Sequence, residues 1–229
     1  RNAERILRAS LLYATVVGGI GCAAIFFGAD WLAGSLLRIP EAAYPLRALA
    51  PTVWIVSYLG VCRGYWQGQS TMVPTALSQI IEQILNALVS VGAAYFLMKW
   101  AVAKGNEESM ARAFGATGGT IGTGVGAASA LLLFVVLFLL SGRHRARRVR
   151  LDMQHREESY EEITQLLVLT VIPVILSTAI YNVSGILDNA LFGQAMYDLG
   201  RQSEIAKQYG VYTGKYKLLL NVPIMIANS

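Results

Sequence analysis

Charge is what this chain has little of. Only 14% of its 229 residues are Asp, Glu, Lys or Arg, where a soluble domain carries about 25%. Three stretches carry none at all: residues 9–29, 113–142 and 163–187. Each exceeds the roughly 20 apolar residues that cross a bilayer, a length that soluble core helices rarely need. Cysteine is scarce too. Cys22 and Cys62 both sit in apolar surroundings, which reads as two buried thiols rather than a disulfide. The only two histidines, His144 and His155, lie in an arginine-rich linker without ligand partners. Without a metal-spaced Cys/His set, a nucleophile elbow, or a kinase or Walker pattern, we expect neither an enzyme nor a cofactor. The chain does not begin with Met and its last apolar run stops at Ser229. We therefore expect an internal piece of a longer, transporter-sized protein, and no signal peptide is visible.

What is present is apolar: 55% hydrophobic residues and a mean hydropathy of +0.48. The expected fold is all-α, a polytopic transmembrane helix bundle of about six spans. They cover about 9–37, 48–66, 72–98, 113–140 and 163–192, with a sixth from about 210. Most connections are short. The exception, "SGRHRARRVRLDMQHREESYEE", separates four spans (1–141) from the first two of a second bundle (163–229), leaving 142–162 as a basic linker. Net charge is +5, but the basic residues are not spread over a polar face, so topology explains them better than nucleic acid. The side holding residues 1–8, the 63–71 turn and the linker carries ten Lys and Arg (three, one and six), against seven opposite. We place the linker in the cytoplasm of a multi-pass bacterial plasma-membrane protein. Glu157, Glu158, Glu161 and Glu162 then open the fifth span, at the positive end of its dipole.

The polar residues inside the spans are few and periodic. On the third span Thr75, Gln79, Glu82 or Gln83, Asn86 and Ser90 recur at steps of three and four, and so share a face. Ile80, Ile84, Leu85 and Leu88 fall largely elsewhere. A polar stripe on a membrane helix faces protein or water, not lipid. We read it as the wall of a hydrated cavity, with interhelical hydrogen bonds as the other reading. The spacing leaves open whether Glu82 or Gln83 points inward. On the fifth span Thr170, Ser177, Tyr181, Ser184 and Asp188 repeat the pattern, with Pro173 interrupting it. Asp188 is the ion-coupling candidate, against a simple interfacial carboxylate, and coupling would be to sodium, protons or the membrane potential. A cavity between the two bundles is the economical arrangement. "GATGGTIGTGVGAAS" on the fourth span places Gly115/Gly119, Gly118/Gly122 and Gly122/Gly126 at small-xxx-small spacing, which predicts close helix packing. Arg63 in "RGYWQG" is placed to snorkel to lipid phosphate beside the interfacial Tyr65 and Trp66. Lys215 and Lys217 point to different sides of a helix, and Lys215 is the one we turn toward a cavity.

These residues carry a resemblance. "RALAP" (47–51), "CRGYWQGQSTMVPTALSQIIEQ" (62–83), "GILDNALFG" (185–193) and "YGVYTGKYKLLLNVPIMIANS" (209–229) resemble the polysaccharide-export and lipid-flippase proteins of the MOP superfamily. The likeness is to the stage V sporulation protein B type, related to the MurJ/MviN lipid II flippases. It implies the third to eighth spans of a two-lobed transporter, with a central cavity opening alternately to each side. It also implies a polyprenyl-pyrophosphate-linked sugar as cargo, membrane lipids as partners, and a cationic cavity for which Arg63 and Lys215 are the local candidates. Gln79, Glu82, Gln83 and Asn86 would meet sugar or peptide groups. A cation-coupled multidrug or metabolite antiporter, or a non-transporting membrane scaffold, are the competing readings.

Overall fold

A lipid-embedded backbone has no water to bond to, so its N–H and C=O groups must be satisfied within each segment, and helices do this. The computed structural model describes residues 2–142, 159–201, 204–217, 219 and 222. Among these residues there is no strand, and five helices are long and apolar enough to cross a membrane.

Helix α1 (Asn2–Trp31) runs into a π-helical turn, Leu32–Leu36, and a 3-10 turn, Pro40–Ala42, leads on to α2 (Ala43–Gln67). Helices α3 (Val73–Ala103), α4 (Glu108–Leu140) and α5 (Tyr160–Asp198) follow. The sixth span expected from about residue 210 is represented by a short helix, α6 (Ile205–Val211), and a π-helical stretch, Tyr212–Lys217. Most of its remainder lies outside the described residues, so five spans stand where six were expected. The linker's residues 143–158, with His144, His155, Glu157 and Glu158, also lie outside them.

Helix ends follow local chemistry. Pro74 sits in the first turn of α3, where its missing N–H has no intrahelical partner to lose. At the start of α5, Ser159 and Glu162 form a reciprocal capping box. The Glu162 N–H donates to Ser159 Oγ at 3.1 Å, and the Ser159 N–H donates to Glu162 Oε2 at 2.9 Å. The acidic first turn read from the sequence is thus a cap as well as a dipole partner.

The chain forms two compact units, Arg1–Ala29 with Tyr44–Val174, and Asp30–Ala43 with Ile175–Ser229. In the first, α3 and α4 pack tightly along their length. Small residues make this possible. A Cβ added at Gly118 would meet the backbone of Ala93 at 2.5–2.6 Å, and one at Gly126 would meet the Glu82 carbonyl oxygen at 2.7 Å. Gly122 lies as close to Ser90. Of the expected small-residue pairs, the structure selects the 118/122/126 ridge as the closest approach, while Gly119 faces open space. With no hydrophobic drive between helices in lipid, dispersion across such a seam is the main attraction. On its other side α4 meets α2, where Leu59, Cys62, Ala130 and Phe134 form a buried cluster flanked by Trp66 and Phe138. Both cysteines are free; Cys62 is buried as expected, whereas Cys22 is only half-buried.

Candidate functional site

Helix α3 carries its apolar and polar residues on opposite sides. Leu77, Ile80, Ile84, Leu88, Val91 and Tyr95 are all exposed and step by three and four, the pattern of a lipid-facing stripe. Thr75, Ser78, Glu82, Asn86 and Ser90 occupy the inner side, with Thr75 and Ser78 buried outright.

The centre of this inner stripe is an ion pair. Arg63, one turn from the end of α2, donates from Nη2 to Glu82 Oε2 at 2.5 Å and from Nε to Ser78 Oγ at 3.1 Å. The Ser78 hydroxyl in turn donates a hydrogen bond to the Thr75 carbonyl at 2.7 Å. The two charged side chains are 21% and 18% exposed. A lone carboxylate in a span costs roughly 2.5–3.5 kcal/mol on insertion scales, and a facing guanidinium removes most of that cost by neutralising it. Deeper along α3, Ser90 Oγ lies 2.8 Å from Asn86 Oδ1 and 2.9 Å from the Gly119 carbonyl, able to donate to one at a time, and Thr123 Oγ1 reaches Asn86 Oδ1 at 3.4 Å. Glu82, Asn86 and Ser90 therefore tie α3 to its neighbours.

Gln79 and Gln83 lie elsewhere. Gln83 follows Glu82 by one position, about 100° round the helix, while Gln79 stays within about 20° of Asn86 and differs from it in exposure. Both are exposed and have no hydrogen-bond partner among the described residues. The single stripe expected from spacing thus divides. Glu82 turns into the protein, Gln83 does not, and Gln79 goes with Gln83. Sequence reasoning left Ser78 out of the stripe, although its position three after Thr75 and four before Glu82 was signal enough. Arg63, expected at lipid phosphate or a pyrophosphate, is turned inward and its charge is balanced by Glu82.

On α5, the Thr170 hydroxyl donates back to the Leu166 carbonyl at 2.8 Å. Ser177 and Asp188 are exposed. Tyr181 and Ser184 lie on the same helix, and their side chains fall outside the described residues. In the second unit, Tyr209 packs against Tyr212, with ring centroids 6.2 Å apart. Its ring stands 5.4 Å from that of Phe192. Lys215 is exposed on the π-helical stretch, with no ion-pair partner among the described residues.

A second polar contact had no sequence signal. Arg38 adopts a left-handed φ of 57°, unusual for a residue with a Cβ. Its Nη2 donates to Gln194 Oε1 at 3.2 Å, and its guanidinium lies 5.0 Å from the Tyr197 ring centroid. Gly193 admits the Leu37 carbonyl so closely that a Cβ there would stand 2.9 Å from it. The loop before α2 and the end of α5 are clasped together. No metal-binding group of His, Cys, Asp or Glu occurs among the described residues.

The comparisons with known proteins agree in kind. The family model for polysaccharide biosynthesis proteins matches residues 1–229. Stage V sporulation protein B of Bacillus subtilis (strain 168) is 30% identical over 231 residues, covering 100% of this chain and 42% of that protein. The lipid II flippase MurJ of the same organism is 26% identical over 106 residues, 43% of this chain and 20% of the relative. An uncharacterized membrane protein, YabM, also from that organism, is 27% identical over 221 residues, 96% of this chain and 39% of its own. The chain thus spans less than half the length of these relatives. No solved structure matches with comparable significance.

Proposed function

This chain belongs to the polysaccharide biosynthesis protein family, and from that premise we propose that it forms part of a transporter for polyprenyl-pyrophosphate-linked cell-wall or polysaccharide precursors. It is a multi-pass bacterial membrane protein with five membrane-length helices among the described residues. The reading of its cargo draws on a relative named as a lipid II flippase.

The observation that carries the proposal is the exposed carboxamide pair, Gln79 and Gln83. Burying an unpaired amide in hydrocarbon costs several kcal/mol, about 4–8 for transfer to a solvent that cannot hydrogen-bond. Two such groups, one turn apart, therefore face water or a polar ligand rather than lipid. Carboxamides both donate and accept, which suits sugar hydroxyls and peptide amides. Glu82 and Arg63 then hold this flank in place by fixing the rotation of α3 against α2. Ser177, Tyr181 and Ser184 on α5 offer a second polar row, and Lys215 an exposed cation for a pyrophosphate. Asp188 is the candidate for ion coupling. Movement would follow alternating access, with the polar path opening to one side at a time.

Single cysteines at 79, 83, 80 and 84 in the full-length protein, in native membranes, provide the test. A water-soluble maleimide is expected to label 79 and 83 at least tenfold faster than 80 and 84. Uniformly unreactive sites would favour a scaffold whose polar residues only join helices.

A further inference from the structure

Residues 30–43, the end of α1 and its connection to α2, do not pack with the rest of those two helices. They belong to the second unit, with residues 175–229. Contact here therefore crosses the boundary between the two bundles expected from the sequence, 1–141 and 163–229. Helices α1 to α4 cross in alternating directions, so it lies on the face opposite the end of α4. The backbone of the connection is irregular throughout. It contains the π-helical turn Leu32–Leu36, Arg38 at a left-handed φ of 57°, and the 3-10 turn Pro40–Ala42. π-helical turns and left-handed residues with a Cβ are uncommon, and they gather at functional and switching segments.

Arg38 follows the C-cap Leu37 of the π-helical turn, a position where glycine is usual because a Cβ is penalised. The arginine side chain supplies the reason for the exception. Its Nη2 donates to Gln194 Oε1 at 3.2 Å and its guanidinium lies 5.0 Å from the Tyr197 ring centroid. Its Nε is buried without a hydrogen-bond partner among the described residues. The carboxylate of this network, Asp198, accepts from Gln194 Nε2 at 3.4 Å. Closing the contact thus gains a hydrogen bond to a neutral amide and an exposed cation–π contact. It costs a left-handed backbone and a buried, unpaired N–H. These gains and costs are of similar size, which suits a contact that opens and closes. Beneath the side chains the fit is steric: Gly193 is buried, and a Cβ there would stand 2.9 Å from the Leu37 carbonyl oxygen.

We propose that Arg38 is the latch of a gate. Its grip on Gln194 and Tyr197 holds this face of the transporter closed, and its release lets the 30–43 connection part from the end of α5. The latch rests on the alternating-access reading above, in which contacts on one face break as the path opens there. Its test needs no cargo, so the latch and the cargo reading can fail separately.

Spin labels at Ser35 and Arg201, both exposed, would be placed in cysteine-free full-length protein in nanodiscs and their separation read by pulsed electron spin resonance. The closed contact gives a short distance, and the open one a second distance longer by about 5 Å or more, the scale of a one-turn shift. Two variants release the latch by different means, each favourable to its own backbone. Arg38→Gly removes the side chain and suits the left-handed position, whereas Gly193→Ala suits the helix and presses on the Leu37 carbonyl. Each is expected to raise the ratio of long to short populations about tenfold, the effect of losing one charge-assisted contact. Arg38→Lys, which keeps a cation near Tyr197, should change that ratio less than about threefold. A single short distance in both variants would overturn the proposal by showing a permanent tie. An equal response to Arg38→Gly and Arg38→Lys would overturn it too, by showing that the charge does not hold the contact.

Discussion

Removing both members of the Arg63–Glu82 pair should destabilise the protein by less than the sum of removing each alone. At an effective dielectric of about 20, unit charges 4 Å apart attract by about 4 kcal/mol, and this pair is closer, at 2.5 Å. Desolvation offsets part of that attraction. Each side chain also keeps about one-fifth of its exposure (21% and 18%), which screens the remainder. We therefore expect a net coupling of about 2 kcal/mol, below the 3–5 kcal/mol typical of breaking fully buried pairs. Glu82→Gln leaves the guanidinium with Ser78 as its only side-chain partner among the described residues, and Arg63→Gln leaves a carboxylate uncompensated in a span. Reversible unfolding of the full-length protein in mixed micelles, run as a double-mutant cycle, measures the coupling directly. The double variant should be more stable than the sum of the single losses by about 2 kcal/mol, and the charge swap Arg63→Glu/Glu82→Arg should recover part of the loss. A coupling below about 0.5 kcal/mol would refute the view that this pair fixes α2 against α3.

Two further substitutions probe the packing and the helix ends. Gly122→Leu drives a side chain into Ser90 across the α3–α4 seam and should cost about 2–3 kcal/mol in the same micelle unfolding, within the usual range for overpacking, whereas Gly119→Ala, which faces open space, should change stability by less than about 1 kcal/mol. Ser159→Ala removes half of the capping box at the start of α5 and should cost about 1 kcal/mol, seen as faster amide exchange confined to residues 160–163.

The spans were legible because the physics that sets them is one-dimensional. A stretch of about 20 residues without charge has few alternatives to crossing the bilayer, and gaps such as 113–142 show this without any partner being known. Spacing also put Thr75, Asn86 and Ser90 on one face of α3 and marked the small-residue pairs of α4. What spacing could not supply was the group opposite. Arg63 is an interfacial arginine when read alone and becomes the counter-charge of Glu82 only when α2 and α3 are packed. That contact, and not periodicity, decided that Glu82 turns inward while Gln83 does not. Arg38 was illegible for the same reason. Its partners Gln194 and Tyr197 lie more than 150 residues away, and its left-handed backbone leaves no trace in composition. The Gly118/122/126 register was chosen from three overlapping pairs by which backbone of α3 came closest, again a property of the packed pair.

A transporter for lipid-linked sugars must move its cargo between leaflets. The full-length protein would be reconstituted in proteoliposomes with a fluorescent polyprenyl-pyrophosphate-linked disaccharide, and cargo reaching the opposite leaflet scored by a membrane-impermeant quencher. Protein-dependent movement of this cargo is expected, reduced at least tenfold by the double substitution Gln79→Leu/Gln83→Leu in protein that still folds. No movement above protein-free liposomes, with efflux of cationic drugs from the same vesicles, would contradict it and assign the chain to the antiporter reading.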